Sequence, residues 1–196
     1  MGTRSLQQLS RSGDYMGRVL AVCGMPASGK GEFAAILKDR GIPILSMGDM
    51  IREEVRHRQL QESPEIFGEI ASQLRHEFGE EVLASRLMKS ILNLQPHHAL
   101  ILIEGMRGTA ELEVFRTHLK SDLIVVGIHA NKETRFSRVL KRKRSEDGNR
   151  SQFEIRENRE KGWGLETLIQ NADKIIENES TIQEFSNEVL AWLNAL

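Results

Sequence analysis

The feature that most constrains the fold is a glycine-rich stretch, GMPASGKGE, at residues 24–32. An apolar run, RVLAVC, precedes it and predicts a buried strand, and the pattern GKGEFAAILKDR predicts a helix over about residues 29–40. Backbone N–H groups at the start of such a helix attract anions. The spacing G-x-x-x-x-G-K therefore predicts a phosphate-binding loop in which Lys30 reaches the outer phosphates. The alternative is a glycine-rich turn that contains a lysine by chance.

The loop departs from the general pattern just after the lysine. Ser or Thr usually stands there and ligates magnesium, whereas this chain has Gly31 followed by Glu32. The Glu32 carboxylate has three open interpretations: it holds magnesium through water, it repels phosphates unless a cation intervenes, or it faces solvent in the first helical turn. The residues predicted to bind a nucleotide here are Gly24, Met25, Pro26, Ala27, Ser28, Gly29, Lys30, Gly31 and Glu32.

The rest of the chain predicts an α/β protein. Four further strands are expected over residues 42–47, 99–105, 122–130 and 172–178, separated by helical patterns. Near-continuous apolar runs are typical of parallel strands covered on both faces. The predicted fold is therefore a three-layer phosphate-loop NTPase fold with a five-stranded parallel sheet. Two segments, 48–98 and 133–162, are longer than plain crossover helices.

Composition and charge narrow the function classes. A formal net charge of −1 over 196 residues gives no whole-chain field that attracts nucleic acid or membrane surfaces. The single cysteine, Cys23, excludes an intramolecular disulfide and favours a cytoplasmic setting, and no run of 18 apolar residues predicts a membrane span. Residues 1–16 are polar and are expected to be a disordered leader to one domain, 17–196. The oligomeric state is left open.

The loop resembles that of adenylate kinases and related nucleoside monophosphate kinases, G-x-P-G-x-G-K-G-T. Gly31 matches that branch, while Ala27 replaces a glycine and Glu32 replaces the threonine. The segment LSMGDMIREE resembles the family's G-D-x-x-R, which implies that Arg52 grips the acceptor's phosphate and that Asp49 takes part in catalysis and orders a hydrated metal. The alternative for Arg52 is a solvent-facing helical arginine.

The third strand, LILIEGMRG, resembles the family's L-D-G-F-P-R. The resemblance implies that Glu104 is a magnesium ligand through water, with a charge at a helix N-terminus as the alternative. It also implies that Arg107, which falls one residue earlier than the family's arginine, is a second ligand of the acceptor. Residues 48–98 would then be acceptor-binding helices, and the arginine-rich residues 141–162 would form a lid. Four lid arginines are candidates for stabilising the transferring phosphoryl group, with Arg144 and Arg156 matching best: Arg142, Arg144, Arg156 and Arg159. Acids between them are expected to keep the segment soluble, and a nucleic-acid patch is the weaker interpretation.

The segment NADKIIENES resembles the ending of dephospho-CoA kinases, which implies that Asn178 lies against the nucleotide's base; a turn-forming asparagine is the alternative. Taken together, the motifs resemble a largely archaeal group of proteins similar to adenylate kinase and dephospho-CoA kinase. The resemblance implies transfer of the γ-phosphoryl of ATP, with Mg²⁺, to a small nucleotide-like acceptor, with Lys30, Asp49, Arg144 and Arg156 as catalytic residues. Two rivals stay open: a nucleotide-binding regulator or slow NTPase, and a nucleic-acid-associated protein.

Overall fold

A computed structural model describes residues 16–142 and 148–196. Five parallel strands form one sheet in the order β2-β3-β1-β4-β5. Their bounds are Arg18–Cys23 (β1), Ile44–Ser46 (β2), Leu100–Glu104 (β3), Leu123–His129 (β4) and Lys174–Glu177 (β5). The predicted five-stranded parallel sheet is confirmed, with each observed strand one to three residues shorter than its predicted range.

Nine α-helices lie within the part of the chain that the structure describes. They are Lys30–Asp39 (α1), Met47–His57 (α2), Pro64–Phe78 (α3), Val82–Leu94 (α4), Thr109–Leu119 (α5), Lys132–Arg142 (α6), Arg150–Gly162 (α7), Leu165–Gln170 (α8) and Ile182–Ala195 (α9). Local sequence sets several of these ends. Ser63 caps α3 by accepting a hydrogen bond from the backbone N–H of Ile66, and Pro64 fills the first helical position. Gly79 ends the same helix at a φ of 99°, a conformation that glycine adopts freely.

The alternation of side chains along the strands divides the core into two layers. On one face of β1, Val19, Ala21 and Cys23 pack with α2, α3, α4 and α5. On the other face, Leu20 and Val22 pack with α1 and α9. All five side chains are fully buried, which is why this strand reads as a continuous apolar run. Among the described residues, no helix is long and apolar enough to cross a membrane.

A third, smaller apolar cluster joins the loop after β1 to the arginine-rich region. Ala27 from the loop packs with Val139 of α6 and Phe153 of α7, and Phe136 lies against them. Asn149 caps α7 in a capping box with Gln152, so this helix starts on its own signal rather than as a continuation of α6. Both arginine-rich helices are therefore anchored to the loop by apolar side chains. The predicted leader lies outside the described residues, except for Met16.

Candidate nucleotide and acceptor site

The loop over residues 24–29 has the compact backbone of an anion cradle. A Cβ at Gly24 would lie 2.6 Å from the carbonyl oxygen of Ile128, and one at Gly29, where φ is 116°, would lie 2.1 Å from Nδ2 of Asn178. Only glycine fits at either place. Ala27 also has a positive φ, 63°, which explains why the resembling kinases have glycine at that position. In this chain the methyl group of Ala27 packs on α6 and α7, and this contact offsets the backbone strain.

Lys30 is the first residue of α1, and its ammonium group is folded onto the loop. Nζ donates to the carbonyl oxygens of Gly24 at 2.6 Å and Met25 at 3.0 Å. Burial and, after it, the charge of Arg107 lower the pKa of Lys30 to about 7, although the charge of Glu160 opposes this shift. Near neutral pH the loop therefore holds a lysine that is easily converted between its charged and neutral forms. An arriving polyphosphate would favour the charged form.

Asn178 and Arg138 hold the loop in place through hydrogen bonds to the carbonyl oxygen of Ser28. The buried Asn178 side chain donates from Nδ2 to the carbonyl oxygen of Ser28 at 2.8 Å. Arg138 of α6 donates to the carbonyl oxygen of Asn178 at 2.7 Å and to that of Ser28 at 3.3 Å. Both residues also line the cavity in front of the loop, together with Ile182 at the start of α9. The Asn178 amide is thus bonded to the loop itself, while the residue also borders the cavity in front of the loop.

Two cavities meet in front of the sheet's carboxyl edge, where ligands of open α/β sheets bind. One cavity contains the loop residues Lys30, Gly31 and Glu32 and is called the donor-side cavity after its predicted role. The other, called the acceptor-side cavity for the same reason, lies between α2, α3 and α7 and has an apolar wall that includes Ile51, Phe67 and Trp163. The same three arginines line both cavities: Arg52, Arg107 and Arg156. The structure therefore brings together Lys30, both predicted acceptor arginines and one of the two best lid candidates.

Glu160 of α7 lies buried at this junction. Its Oε1 accepts a hydrogen bond from Nε of Arg156 at 2.9 Å and forms an ion pair with Nη1 of Arg107. Burial raises the pKa of Glu160, but the charges of Arg107, Arg156 and then Lys30 outweigh burial and bring that pKa to about 2. Burial also lowers the pKa of Arg159, which lines the acceptor cavity. The expectation that acids of this segment keep it soluble is wrong for Glu160 and for Glu157, because both are buried and ion-paired.

The three predicted metal-site carboxylates are near the cavities but do not converge. Glu104 ends β3 and borders both the donor-side cavity and a neighbouring cleft. Glu32 is exposed in the donor-side cavity, whereas Asp49 is exposed in the cleft and pairs with Arg52 at 2.5 Å. Across residues 16–142 and 148–196, no three such side chains are grouped to hold a metal. This arrangement fits Mg²⁺ carried by a polyphosphate, since that ion keeps several waters and takes one or two protein carboxylates.

A second buried ion pair, which the sequence interpretation did not predict, supports the acceptor side. Arg75 of α3 donates to Oε1 of Glu111 at 2.7 Å, and both side chains are almost completely buried. Oε2 of Glu111 accepts from the backbone N–H groups of Arg107 at 2.7 Å and Gly108 at 3.1 Å. The Arg75 guanidinium also lies 4.1 Å from the ring centre of Trp163. This pair fixes the turn that carries Arg107.

Local sequence contained a signal for only part of this arrangement. Glu111 stands three residues after Gly108, the spacing of a helix-capping glutamate. Arg138 and Glu160 lie in charged helical stretches that look solvent-facing, so no local pattern marks them.

Arg144 falls outside the described residues. Arg142 borders the donor-side cavity. Cys23 is buried, and burial raises the pKa of its thiol to about 12, so it is a core residue.

Comparison with known proteins agrees with this geometry. The family described as "AAA domain" matches residues 23–156. The shikimate kinase from Acinetobacter baumannii, solved with shikimate, superposes with a TM-score of 0.62 at 18% identity and 97% coverage of both chains. The deoxyadenosine kinase from M. mycoides superposes with a TM-score of 0.58 at 15% identity, over 91% of this chain and 100% of that one. At such identities the likeness establishes the fold alone: a phosphate-loop, kinase-like α/β protein.

The sequence is closer to a set of archaeal proteins. A UPF0200 protein of Methanosarcina barkeri is 40% identical over 178 residues, which cover 90% of this chain and 95% of the relative. This chain therefore belongs to the UPF0200 family, and residues 23–156 also place it in the AAA-domain family. The predicted resemblance to a largely archaeal, kinase-like group is confirmed.

Proposed function

We propose that this protein transfers the γ-phosphoryl group of ATP, with Mg²⁺, to a small nucleotide-like acceptor of the nucleoside monophosphate or dephospho-CoA class. The observation that carries the proposal is the junction of the two cavities. Arg52, Arg107 and Arg156 border both of them, so anions bound on either side meet the same guanidinium groups. Phosphoryl transfer depends mainly on positioning and on stabilising charge on the transferring oxygens.

On the donor side, the loop residues 24–29 and Lys30 would hold the polyphosphate. Asn178 and Arg138 keep the loop in place through the carbonyl oxygen of Ser28, and the cavity that they border with Ile182 has room for the nucleoside. Glu104 and Glu32 would each hold the hydrated Mg²⁺ from one side of this cavity. Bound Mg²⁺ would neutralise charge on the β- and γ-phosphates.

On the acceptor side, Arg52 and Arg107 would hold a phosphate, and the wall of Ile51, Phe67 and Trp163 would take the apolar face of the acceptor. Arg156 would stabilise charge on the transferring group, and Arg144 keeps the same predicted role. Asp49 is paired with Arg52, so it would orient this arginine and reach the metal through water. No covalent intermediate is needed because the acceptor's own oxygen attacks in line.

The test uses the full chain with γ-labelled ATP, Mg²⁺ and a panel of nucleoside monophosphates and dephospho-CoA. We expect label transfer to at least one acceptor, with no transfer by Lys30→Met. ATP binding without transfer to any acceptor would refute the kinase and favour a nucleotide-binding regulator or slow NTPase. Retention on nucleic acid that falls steeply with salt would favour the nucleic-acid alternative.

Position 32 gives a second arm of the same test. Glu32→Thr restores the residue of the resembling kinases, and we expect it to keep ATP binding while altering turnover or the preference between Mg²⁺ and Mn²⁺. Unchanged turnover and metal preference would identify Glu32 as a solvent-facing charge at the helix start.

A further inference from the structure

The two buried glutamates on the acceptor side are bonded very differently. Both oxygens of Glu111 are in use, Oε1 by Arg75 and Oε2 by two backbone N–H groups. Oε1 of Glu160 is contacted by both Arg107 and Arg156, but its buried Oε2 finds no hydrogen-bond partner among the residues that the structure describes. Buried carboxylate oxygens normally accept a hydrogen bond, because a buried acceptor without a donor is destabilising.

Several basic side chains gather around Glu160. Arg107 and Arg156 contact it, and Lys30 and Arg159 interact with it electrostatically. These four side chains come from α1, from α7 and from the turn after β3. Basic groups that converge at a cavity junction favour the binding of a multivalent anion.

The position of Oε1 resembles that of a phosphate oxygen. Guanidinium groups from two separate elements converge on this single atom, at the place where the donor and acceptor cavities share their arginines. We infer that Glu160 is a resident counter-anion: it holds Arg107 and Arg156 together before a ligand binds, and a phosphate oxyanion competes with it for these two guanidinium groups. Glu160 is then a positioning residue that also sets the affinity of the site. The inference rests on the proposed function, because the competing oxyanion belongs to the donor or acceptor of that reaction.

The probe is inorganic phosphate, titrated calorimetrically into the full chain at low ionic strength. Glu160→Gln keeps the shape of the side chain and removes its charge. We expect phosphate to bind the variant about tenfold more tightly or better, because a competing charge at contact distance is removed. Glu154→Gln is the matched control: it removes an exposed carboxylate from the same helix and should leave phosphate affinity unchanged.

Weaker or unchanged phosphate binding by Glu160→Gln would overturn the inference. Weaker binding would mean that the carboxylate only builds the site, and unchanged binding would mean that phosphate does not meet these arginines. If Glu160→Gln does not fold, Glu160→Asp withdraws the carboxylate by one methylene group. It should bind phosphate more tightly than the natural chain, and no gain would overturn the inference.

Two further arms separate the possible sources of the phosphate and the two proposals. Phosphate that still binds beside a non-hydrolysable ATP analogue occupies the acceptor's position, whereas displaced phosphate occupies the donor's terminal position; the inference holds in both cases. A chain that binds no ATP but shows the Glu160→Gln gain would refute the kinase alone. A chain that transfers phosphoryl groups but lacks the gain would refute the counter-anion alone.

Discussion

Removing the charge of Glu111 should destabilise the protein more than almost any other single polar change. Glu111 is fully buried, and its partner Arg75 is only 4% exposed. In Glu111→Gln the Arg75 guanidinium would stay buried without a counter-charge, which costs about 3–5 kcal/mol. The backbone N–H groups of Arg107 and Gly108 share Oε2 in the natural chain, so a rotated amide would leave them facing an NH₂ group and add to this loss.

The assay is urea unfolding followed by circular dichroism, with free energies extrapolated to zero denaturant. Glu113→Gln is the control, because Glu113 is exposed on the same helix and should change stability by no more than about 0.5 kcal/mol. The double variant Arg75→Met/Glu111→Gln should recover much of the loss, since no unpaired guanidinium remains. A loss of less than about 1 kcal/mol in Glu111→Gln, or a double variant as unstable as the single one, would refute the reasoning.

Three further predictions concern the loop. The pKa of Lys30 is about 7 in the free protein, and a bound polyphosphate raises it, so ATP binding should take up protons. The affinity for ATP should therefore fall as pH rises above 7, approaching tenfold per pH unit. Calorimetry in buffers of different ionisation enthalpy checks this, and a flat pH profile of affinity, matching that of Lys30→Met, would contradict it. Asn178→Ala removes the hydrogen bond to Ser28 and should weaken ATP binding about fivefold to tenfold. The control Asn171→Ala changes an exposed residue and should leave ATP binding unchanged. Equal ATP affinities of Asn178→Ala and the natural chain would show that the loop keeps its shape without this bond. Ala27→Gly relieves a positive φ but removes the methyl contact with Val139 and Phe153, so amide hydrogen exchange in α6 and α7 should increase; unchanged exchange would mean that this contact does not anchor them.

The fold was predictable because its signals are local. Short, nearly continuous apolar runs mark each strand, and the spacing of the glycines and the lysine in the loop fixes where β1 ends and α1 begins. The three helices of residues 48–98 carry their own caps and breakers, such as Ser63 and Gly79. Strand order is a tertiary property, yet the parallel sheet followed from the alternation of strands and helices.

The site was predictable only where a residue belongs to a motif. Arg52, Arg107 and Arg156, which belong to motifs, border both cavities, and Lys30 borders the donor-side cavity. Glu160 was not foreseen, because a glutamate in a highly charged helix looks the same in sequence whether its face meets water or a cluster of arginines. Its partner Arg107 lies 53 positions earlier, and no local pattern reports a contact at that separation.

The small cluster of Ala27, Val139 and Phe153 limits how often α6 and α7 separate from the loop. Separating α6 and α7 from the loop would expose Val139 and Phe153, which are 2% and 1% exposed. At about 1.5–3 kcal/mol for each side chain, such a separation costs roughly 3–6 kcal/mol. The separated state would then hold only about one molecule in 150 to one in 20,000. The hydrophobic contact of Ala27 therefore keeps α6, α7 and the loop together as one body in nearly all molecules.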